Sequence, residues 1–574
     1  MQRRLFMVLM LASALFCTSQ AMAGVWYVDG GVGSSGDGMS WGTAFQTIQE
    51  GIDAASATDD IWVKMGTYTL SAQIDVNEQV GLYGGFAGTE TAREERDWEA
   101  KVTKIDGNLV TRCLSVTTAD GVIIDGFTIT QGRSTAQGAG LQNNVSTTAN
   151  TTIQNCIFDD NDTTLQGGAI DSRMGNITVL NCTFKNNDAT TTQPRGGAIF
   201  VYAGTAQLEN CSFENNAAGS GGALYFRGTT GSISLTNCHF TGNMAYLTPL
   251  SSDGGAILSD RTMTITGCTF VQNSAIRYGG VIASYCPSGN SITFTNCLFA
   301  NNSAGPNEGG NTPGGGAIAI NSGSDGSVGT LNITNCSFSG NSANGTGATG
   351  GAIYNRALYV WTQFDITNSI LWGDSPDEIY IPSGGGAPTV SYSDVQGGYA
   401  GTGNIDLDPL FVTGIGGGYY LSQIASGQGS DSPCVDTGDP ATVQSGTTRT
   451  DQELDTGVVD MGYHYTQICT DEDGDGYAVE GDACGAIDCD DTDPQVNPDG
   501  TEVCGQATCS DTKDNDCDGT ADAGDSDCAA WCSQQAQAST MGMDASGSNP
   551  LNLLAILALP MAAIVLWRGL RRKN

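Results

Sequence analysis

The sequence predicts an all-β solenoid in which each repeat forms one coil. Two elements recur through the middle of the chain: Gly-Gly-Ala-Ile or a close variant, and Asn-Cys-x-Phe followed three residues after the phenylalanine by a second asparagine. Successive cysteines of the second element are separated by 26 to 39 residues. Repeats of this length, rich in β-branched residues and joined by variable loops, are typical of stacked coils.

Both elements can be followed by residue number. The first glycines are Gly138, Gly167, Gly196, Gly221, Gly254, Gly279, Gly315 and Gly350. The cysteines are Cys156, Cys182, Cys211, Cys238, Cys268, Cys297 and Cys336. The second asparagines are Asn161, Asn187, Asn216, Asn243, Asn273, Asn302 and Asn341. Identical residues one coil apart should therefore lie above one another.

The phase of the apolar residues indicates where each coil bends. Ile177 and Val179 alternate toward the interior as in a strand, but the next inward pair, Cys182 and Phe184, is out of phase by one residue. Asn181 lies where the phase slips, and asparagine tolerates the left-handed backbone angles of a corner. Its amide can also bond to the asparagine of the next coil. We expect two asparagine ladders and a Gly-Gly ladder, which turn each coil through three strands.

The cysteines are expected to stack in one column. Adjacent coils lie about 4.8 Å apart, within reach of a disulfide, but parallel side chains give poor disulfide geometry. Cysteine is also a small apolar residue that fills a core well. Buried free thiols are therefore favoured over bridged or functional cysteines.

Motifs on both sides of the repeats complete a resemblance. Trp26-Tyr27-Val28-Asp29 and Leu82-Tyr83-Gly84-Gly85-Phe86 precede them, and Asp408-Pro409-Leu410-Phe411 and Ser432-Pro433-Cys434-Val435 follow. With the repeats, they resemble the right-handed parallel β-helix family, particularly its polymorphic outer-membrane-protein-like branch, over about residues 24–465. The resemblance implies right-handed coils, in agreement with the rule for parallel crossovers.

A helix is predicted near the front of this region. The stretch Thr47–Ala57 places Ile48, Ile52 and Ala55 on one helical face. We expect this helix to cap the first coil, whose bare strand edge would otherwise pair with other chains. The predicted order is therefore an N-terminal cap with the first coils (24–110), the β-helix repeats (111–412) and a C-terminal cap (413–465).

The N-terminus carries an export signal. Residues 1–23 contain two arginines, an apolar stretch and Ala21-Met22-Ala23 as a small-residue cleavage site, the order of a secretory signal peptide. The chain should therefore leave the cytoplasm and reach the cell envelope or surface.

The C-terminus matches this destination. A linker (533–550) leads to an apolar segment (551–567) close to the span of a bilayer, and a basic tail (568–574) follows. The arrangement resembles the sorting signals of bacterial surface proteins, in which a membrane protease removes the tail. Release after processing and a permanent transmembrane helix are equal alternatives.

The net charge restricts the partners. The chain carries a formal net charge of −39 at pH 7. No basic surface is available to displace counterions from phosphates, so nucleic acid is excluded as a partner. Metal cations are favoured instead.

Residues 466–532 form an Asp/Cys-rich segment with the strongest chemical signal. Asp471-x-Asp473-x-Asp475-Gly476 and Asp514-x-Asp516-x-Asp518-Gly519 have the spacing of the first half of an EF-hand calcium loop. The ligand candidates are Asp471, Asp473, Asp475, Tyr477, Asp482, Asp514, Asp516, Asp518, Thr520 and Asp525. Tyr477 and Thr520 would contribute backbone carbonyls, and aspartate stands at the twelfth position in place of glutamate.

Calcium and disulfides should together stabilise this segment. It resembles the metal-binding repeat of bacterial surface proteins and is similar to thrombospondin type 3 repeats, which implies a calcium-organised chain with little core. Eight cysteines permit four bridges, whose connectivity the sequence does not fix. A disordered acidic spacer is the alternative, and zinc is disfavoured in an exported chain.

A glycan-binding face is predicted on the strands after Gly-Gly-Ala-Ile. With Ile170 inward, alternate residues of these strands point outward and carry five aromatic rings and three arginines. The candidates are Arg173, Phe200, Tyr202, Tyr225, Arg227, Tyr285, Tyr354 and Arg356. Cross-strand stacking without a ligand is the alternative interpretation.

Catalysis is disfavoured. Polysaccharide lyases and glycosidases share this fold, but they need clustered carboxylates or a base on one face. Asp171 and Asp260 on the predicted face are about three coils apart, roughly 14 Å. We therefore expect a non-catalytic, adhesin-like or glycan-binding surface protein with a calcium-stabilised stalk. A lyase or glycosidase that acts on acidic polysaccharide is the alternative.

Overall fold

The computed structural model describes residues 24–117, 120–146, 149–190, 194–228, 231–246, 252–286, 289–306, 312–322, 329–355, 363–383, 385–443, 445–467, 471, 473, 477–478, 487–498, 500, 513–517 and 519. The predicted signal peptide (1–23), the linker (533–550), the membrane or sorting segment (551–567) and the basic tail (568–574) lie outside these residues. Within them, no helix has the length and apolarity to cross a membrane. The chain divides into two compact units, residues 1–466 and 467–574.

The first unit is a parallel β-helix, as the repeats predict. Its long sheets contain only parallel pairs between consecutive coils. The 13-stranded sheet comprises Val25–Val28, Asp60–Lys64, Gly81–Phe86, Val122–Asp125, Asn150–Gln154, Asn176–Leu180, Ala206–Glu209, Ile233–Thr236, Met263–Thr266, Ser291–Thr295, Thr330–Thr334, Gln363–Thr367 and Thr389–Ser391. The 12-stranded sheet comprises Gly66–Thr69, Thr103–Asp106, Phe127–Thr130, Ile157–Asp159, Thr183–Lys185, Ser212–Glu214, His239–Thr241, Thr269–Val271, Leu298–Ala300, Ser337–Ser339, Ile370–Trp372 and Asp394–Val395.

Two further sheets close each coil. The 8-stranded sheet comprises Arg133–Ser134, Asp162–Thr163, Asp188–Ala189, Ala217–Ala218, Met244–Ala245, Ser274–Ala275, Ser303–Ala304 and Ser342–Ala343. The 11-stranded sheet comprises Ile74–Val76, Leu114–Val116, Leu141–Asn144, Ile170–Met174, Ile199–Val201, Leu224–Phe226, Ile257–Ser259, Ile282–Cys286, Ile318–Ser322, Ile353–Asn355 and Ile379–Tyr380. The expectation of three strands per coil is therefore wrong for the central coils. A fourth strand of two residues follows the second asparagine, and two residues are too few to show an alternating pattern.

The first asparagine ladder forms the corner between the 13- and 12-stranded sheets. Asn181 has φ 52°, in the left-handed region that the phase slip predicts. Its Nδ2 donates to Oδ1 of Asn155 at 3.3 Å, and Nδ2 of Asn210 donates to Oδ1 of Asn181 at 3.2 Å. These amides are exposed, so the ladder runs along the outside of the corner.

The second asparagine ladder is buried. Asn243 donates its backbone N–H and its Nδ2 to Oδ1 of Asn273, at 3.0 and 2.9 Å. Its Nδ2 also donates to the carbonyl of Phe213 at 2.8 Å. The same pattern joins Asn161, Asn187, Asn216, Asn243, Asn273, Asn302 and Asn341. Each coil is thus bonded to the next through its interior.

Identical side chains fill the core in columns. The rings of Phe158, Phe184, Phe213, Phe240, Phe270, Phe299 and Phe338 stack with centroids 4.4 to 5.1 Å apart. The cysteines form a second column, in which the backbone N–H of Cys238 lies 3.3 Å from Sγ of Cys268 in the next coil. All seven repeat cysteines are free and buried, as predicted.

The predicted helix spans Ile48–Ala54 and begins at a capping box formed by Thr47 and Glu50. Ile48 and Ile52 are buried in the core of the first coils. The helix therefore lies where a cap would stand, and its capping role stays a prediction. Short 3₁₀ helices span Trp41–Thr43, Arg93–Glu95 and Ile424–Ser426.

The end of the first unit returns along the side of the β-helix. A hairpin of Phe411–Gly414 and Gly417–Leu421 precedes a segment that docks on the coils. The amide of Asn296 exchanges two hydrogen bonds with the backbone of His464, both at 2.7 Å. Tyr420 and Tyr465 stack at 3.9 Å in a cluster that includes Leu298. The predicted function of residues 413–465 as a C-terminal cap stays a prediction.

Candidate functional site

The strands of the 11-stranded sheet align the outward residues of successive coils. Asp171 pairs with Phe200, and Phe200 pairs with Tyr225. The same row continues through Leu258, Ala283, Ala319 and Tyr354. Because the row alternates with the core residues on either side, it forms the outer face of the sheet.

A second outward row lies two residues further along each strand. It contains Arg173, Tyr202, Arg227, Asp260, Tyr285 and Asn321. Tyr202 and Tyr285 are 46% and 39% exposed. They are three coils apart, about 14 Å at parallel strand spacing. This row therefore presents two phenol rings to solvent, with the exposed Arg227 between them.

The first row is largely covered, which corrects part of the predicted face. Phe200 is 1% exposed, because the guanidinium of Arg173 lies 5.5 Å over its ring and Tyr225 stacks beside it at 5.6 Å. Arg195 in turn lies 5.4 Å over the ring of Tyr225. The prediction that Phe200 offers its ring to a ligand is therefore wrong, and Tyr225 offers only part of its ring.

The covering residues were not predicted. Arg195 stands immediately before a Gly-Gly element, where the chain turns at the positive φ of Gly196. Its guanidinium lies over Tyr225, which belongs to the next coil. Two coils later, Asp253 occupies the same position and forms a two-bond ion pair with Arg277, at 2.8 and 2.5 Å. The residue before Gly-Gly differs in every coil from Gln166 to Thr349, so the repeat gives no signal for it.

The end of the face has a similar arrangement. Tyr278, also placed before Gly-Gly, stacks on Tyr354 with centroids 5.9 Å apart. Tyr354 is half-buried as a result. The predicted neighbour Arg356 lies outside the described residues.

The carboxylates of this face do not form a catalytic pair. Burial raises the pKa of Asp171 to about 6, although Arg173 opposes the shift through a hydrogen bond of 3.0 Å. Burial also raises the pKa of Asp260, against the attraction of Arg227. Asp171 is fully buried and lies about three coils from Asp260, roughly 14 Å. This separation exceeds the roughly 5 to 9.5 Å between the two carboxyl groups of a glycoside hydrolase.

The Asp/Cys-rich segment brings three carboxylates together. The ligand oxygens of Asp471, Asp473 and Asp491 all lie within 4.8 Å of one another. A bridge between Ala478 and Ile487 joins the two stretches of chain that carry them. Carboxylate oxygens in this number fit a hard divalent cation such as calcium.

The cluster agrees only in part with the predicted ligands. Asp471 and Asp473 were predicted, whereas Asp491 was not, because it lies 18 residues beyond Asp473 and outside the EF-hand spacing. Tyr477 is described and half-buried. The predicted ligands Asp475, Asp482, Asp518, Thr520 and Asp525 lie outside the described residues.

A disulfide ties the second predicted loop to the stretch of chain that carries Asp491. Cys489 and Cys517 are bonded, with Cα atoms 5.7 Å apart. In this loop, Asp514 Oδ2 accepts a hydrogen bond from the backbone N–H of Gly519 at 2.8 Å, and Asp516 lies in the intervening turn. The disulfide therefore fixes the Asp491 stretch beside the second loop and withdraws both sulfurs from metal ligation.

Comparisons with known proteins match the β-helix and the Asp/Cys-rich segment to two different family models. Residues 92–270 and 175–358 match the family model described as "Right handed beta helix region", so the predicted hand of the coils is confirmed. Residues 488–523 match the family model described as "Putative metal-binding motif", as the resemblance of the second loop implies.

A search of curated proteins gave no significant match. Among solved structures, the crystal structure of pectate lyase Pel9A aligns with a TM-score of 0.36 and 14% identity, covering 78% of this chain and 97% of that chain. A likeness at this TM-score carries no argument about activity.

Proposed function

We propose that this chain is an exported, non-catalytic β-helix protein that binds a carbohydrate on the outer face of its 11-stranded sheet. One observation carries the proposal: Tyr202 and Tyr285 are exposed in one row, with Arg227 between them. A tyrosine ring combines an apolar face with a polar tip, and it loses little side-chain entropy on binding. A sugar ring can pack its C–H groups on such a face while its hydroxyls bond to charged neighbours.

The rigidity of the scaffold supports this choice. Tyr285 stands on the strand Ile282–Cys286, which pairs with Ile318–Ser322. Tyr202 directly follows the strand Ile199–Val201, and its N–H donates to the carbonyl of Ser172 in the preceding coil at 2.9 Å. The buried asparagine ladder bonds successive coils to one another. A row held at a fixed coil spacing needs little reordering when a ligand binds. An extended polysaccharide, which repeats along its length, suits such a row.

Glycan-array binding of the purified chain tests the proposal. Tyr202→Ala and Tyr285→Ala should each weaken binding at least tenfold, a loss of about 1.4 kcal/mol. Met244→Ala is the matched control, because Met244 is 43% exposed on a different sheet. Unchanged binding in both tyrosine variants would exclude this face.

A calcium-stabilised stalk is the second part of the proposal. The three clustered carboxylates and the match at residues 488–523 support a metal ion in this segment. Calcium prefers oxygen ligands such as these carboxylates. It also suits an exported chain, because calcium is abundant outside the cytoplasm and thiols there are oxidised. We propose that the stalk carries an adhesin-like β-helix at the cell surface. Residues 551–567 would attach the chain there, either as a membrane anchor or as the substrate of a sorting protease.

The competing function is a lyase or glycosidase that acts on acidic polysaccharide. One observation on Asp171 favours this function, because a carboxyl with a pKa of about 6 suits a general acid or base. Its full burial beneath the face argues against contact with a polymer. Incubation with uronate polymers and calcium distinguishes the two functions, since only a lyase produces unsaturated sugars that absorb in the ultraviolet.

A further inference from the structure

The buried asparagine ladder ends at an acidic residue. One coil after Asn341, Oδ1 of Asp374 accepts hydrogen bonds from the backbone N–H and the Nδ2 of Asn341, at 2.6 and 2.8 Å. In each preceding coil an asparagine takes this place, and its Nδ2 donates onward to the next coil. Asp374 therefore keeps the acceptor of the ladder and replaces its donor by a second acceptor.

This second acceptor lies beside another buried carboxylate. Glu378 is 7% exposed and Asp374 is 8% exposed. Oδ2 of Asp374 and Oε2 of Glu378 are both buried, and neither accepts a hydrogen bond from the described part of the chain. No lysine or arginine among the described residues forms a salt bridge with either carboxylate. Two buried carboxylates in this position repel each other unless a proton or another positive charge lies between them.

The remaining oxygens of the pair are already bonded to N–H donors. Oδ1 of Asp374 receives the two bonds from Asn341, and Oε1 of Glu378 receives the backbone N–H of Asp374 at 3.1 Å. Hydrogen bonds from N–H groups stabilise a carboxylate more than a neutral acid. Oδ2 of Asp374 and Oε2 of Glu378 are therefore the two oxygens that remain for a cation to ligate.

Space for such a cation and its water is present. Both residues line a cleft of about 350 Å³ together with Pro376, Asp377 and residues 395–399. Calcium takes six to eight oxygen ligands and accepts water among them, so two carboxylates beside an open cleft are sufficient anchors.

We propose that Asp374 and Glu378 form a calcium site at the end of the buried asparagine ladder. The ligand set is independent of Asp471, Asp473 and Asp491 and of any glycan. Its effect would be to stabilise the last coils, where the ladder has no further asparagine to bond.

Calcium titration calorimetry of the full chain tests this site. After chelation, the wild type and the variants D374N, E378Q, D491N and D365N are titrated with CaCl₂. D374N and E378Q should each lose one calcium per chain or bind it at least tenfold more weakly, while D365N, a half-buried aspartate of the 13-stranded sheet, should match the wild type. D491N should instead lose the calcium of the Asp/Cys-rich segment.

Misfolding can be separated from loss of the site. In D374N the new amide can donate to Glu378, so the calcium-free variant should melt no lower than the calcium-free wild type. A D374N variant that is folded and binds calcium with the stoichiometry and affinity of the wild type would overturn the proposal. The same result, with no calcium lost in D374N or E378Q, is expected if Asp374 and Glu378 share a proton and bind no cation.

Discussion

Asn341 and Asp374 lie one coil apart, and both donors of Asn341 converge on a single carboxylate oxygen of Asp374, at 2.6 and 2.8 Å. In each of the six preceding steps of the ladder, an asparagine bonds to the asparagine of the next coil in the same way. The ladder is thus a continuous chain of buried amides with one acidic terminus. Its regularity explains why the coils keep their register although the loops between them differ in length.

Removal of one rung should destabilise the β-helix. Asn243→Ala removes the partner of the backbone N–H of Asn216, of one of its two Nδ2 hydrogens, and of the carbonyl of Phe213. Nδ2 of Asn216 keeps its other bond, to the carbonyl of Phe184. Since each buried unsatisfied group costs about 1 to 3 kcal/mol, we expect a loss of roughly 3 kcal/mol or more in unfolding free energy. Denaturant unfolding followed by circular dichroism measures it.

The exposed ladder offers the control for this variant. Asn210→Gly also removes an amide, but glycine tolerates the left-handed backbone at φ 53° and the lost bonds are open to water. Its cost should stay below about 1 kcal/mol. Equal losses in the two variants would contradict the different functions assigned to the two ladders.

Three thiols of the cysteine column, Cys182, Cys268 and Cys297, should be chemically inert in the folded chain. Burial raises the pKa of the Cys182, Cys268 and Cys297 thiols well above the usual range, so the thiolate that reacts is scarce. Alkylation mapped by mass spectrometry should leave these three unlabelled until denaturant is added. Labelling of the native chain at any of them, at the rate of an exposed thiol, would refute their burial.

Calcium should stabilise the Asp/Cys-rich segment through Asp491. Asp491→Asn removes one of three clustered carboxylates, so calcium affinity at this segment should fall at least tenfold. Isothermal titration with CaCl₂ and then MgCl₂ measures the loss and the selectivity. Asp431→Asn, an exposed aspartate of the first unit, should titrate like the wild type. A normal titration of Asp491→Asn would remove this residue from the ligand set.

Stability should rise as the pH falls toward 5, partly through Asp394. Burial raises the pKa of this carboxyl to about 6 in the folded chain, above about 3.9 in the unfolded chain. The folded state therefore binds the proton more tightly, and this contribution is complete below the unfolded pKa and lost as the pH rises through 6. Between pH 7 and pH 5 it amounts to about 1 kcal/mol.

Asp394→Asn isolates this contribution from the general effect of the net charge. The asparagine retains an acceptor for the N–H of Leu407 and does not titrate. The gain in unfolding free energy from pH 7 to pH 5 should therefore shrink by about 1 kcal/mol in the variant. An identical pH profile in wild type and variant would show that Asp394 has an ordinary pKa.

The sequence predicts the repeating features well because repetition multiplies each signal. The corner at Asn181 follows from a one-residue phase slip that recurs in several coils, and the cysteine column follows from identical spacing. The two-residue strands such as Asp188–Ala189 are too short to show alternation, so the fourth sheet escaped prediction.

The sites depend on residues that do not repeat. Arg195 covers Tyr225, yet its position before Gly-Gly holds a different residue in each coil. Asp491 joins Asp471 and Asp473 through chain folding rather than sequence spacing. Asp374 looks like one acidic residue among many until the ladder places it after Asn341.

The stacking of identical side chains on successive coils can be measured directly by long-wavelength anomalous diffraction from the sulfur atoms of a crystal. The Sγ atoms of Cys182, Cys211 and Cys238 should lie in one line at intervals of about 4.8 Å, parallel to the axis of the coils. Sulfur positions scattered away from a common line would contradict the β-helix register and, with it, the placement of both the glycan face and the Asp374 site.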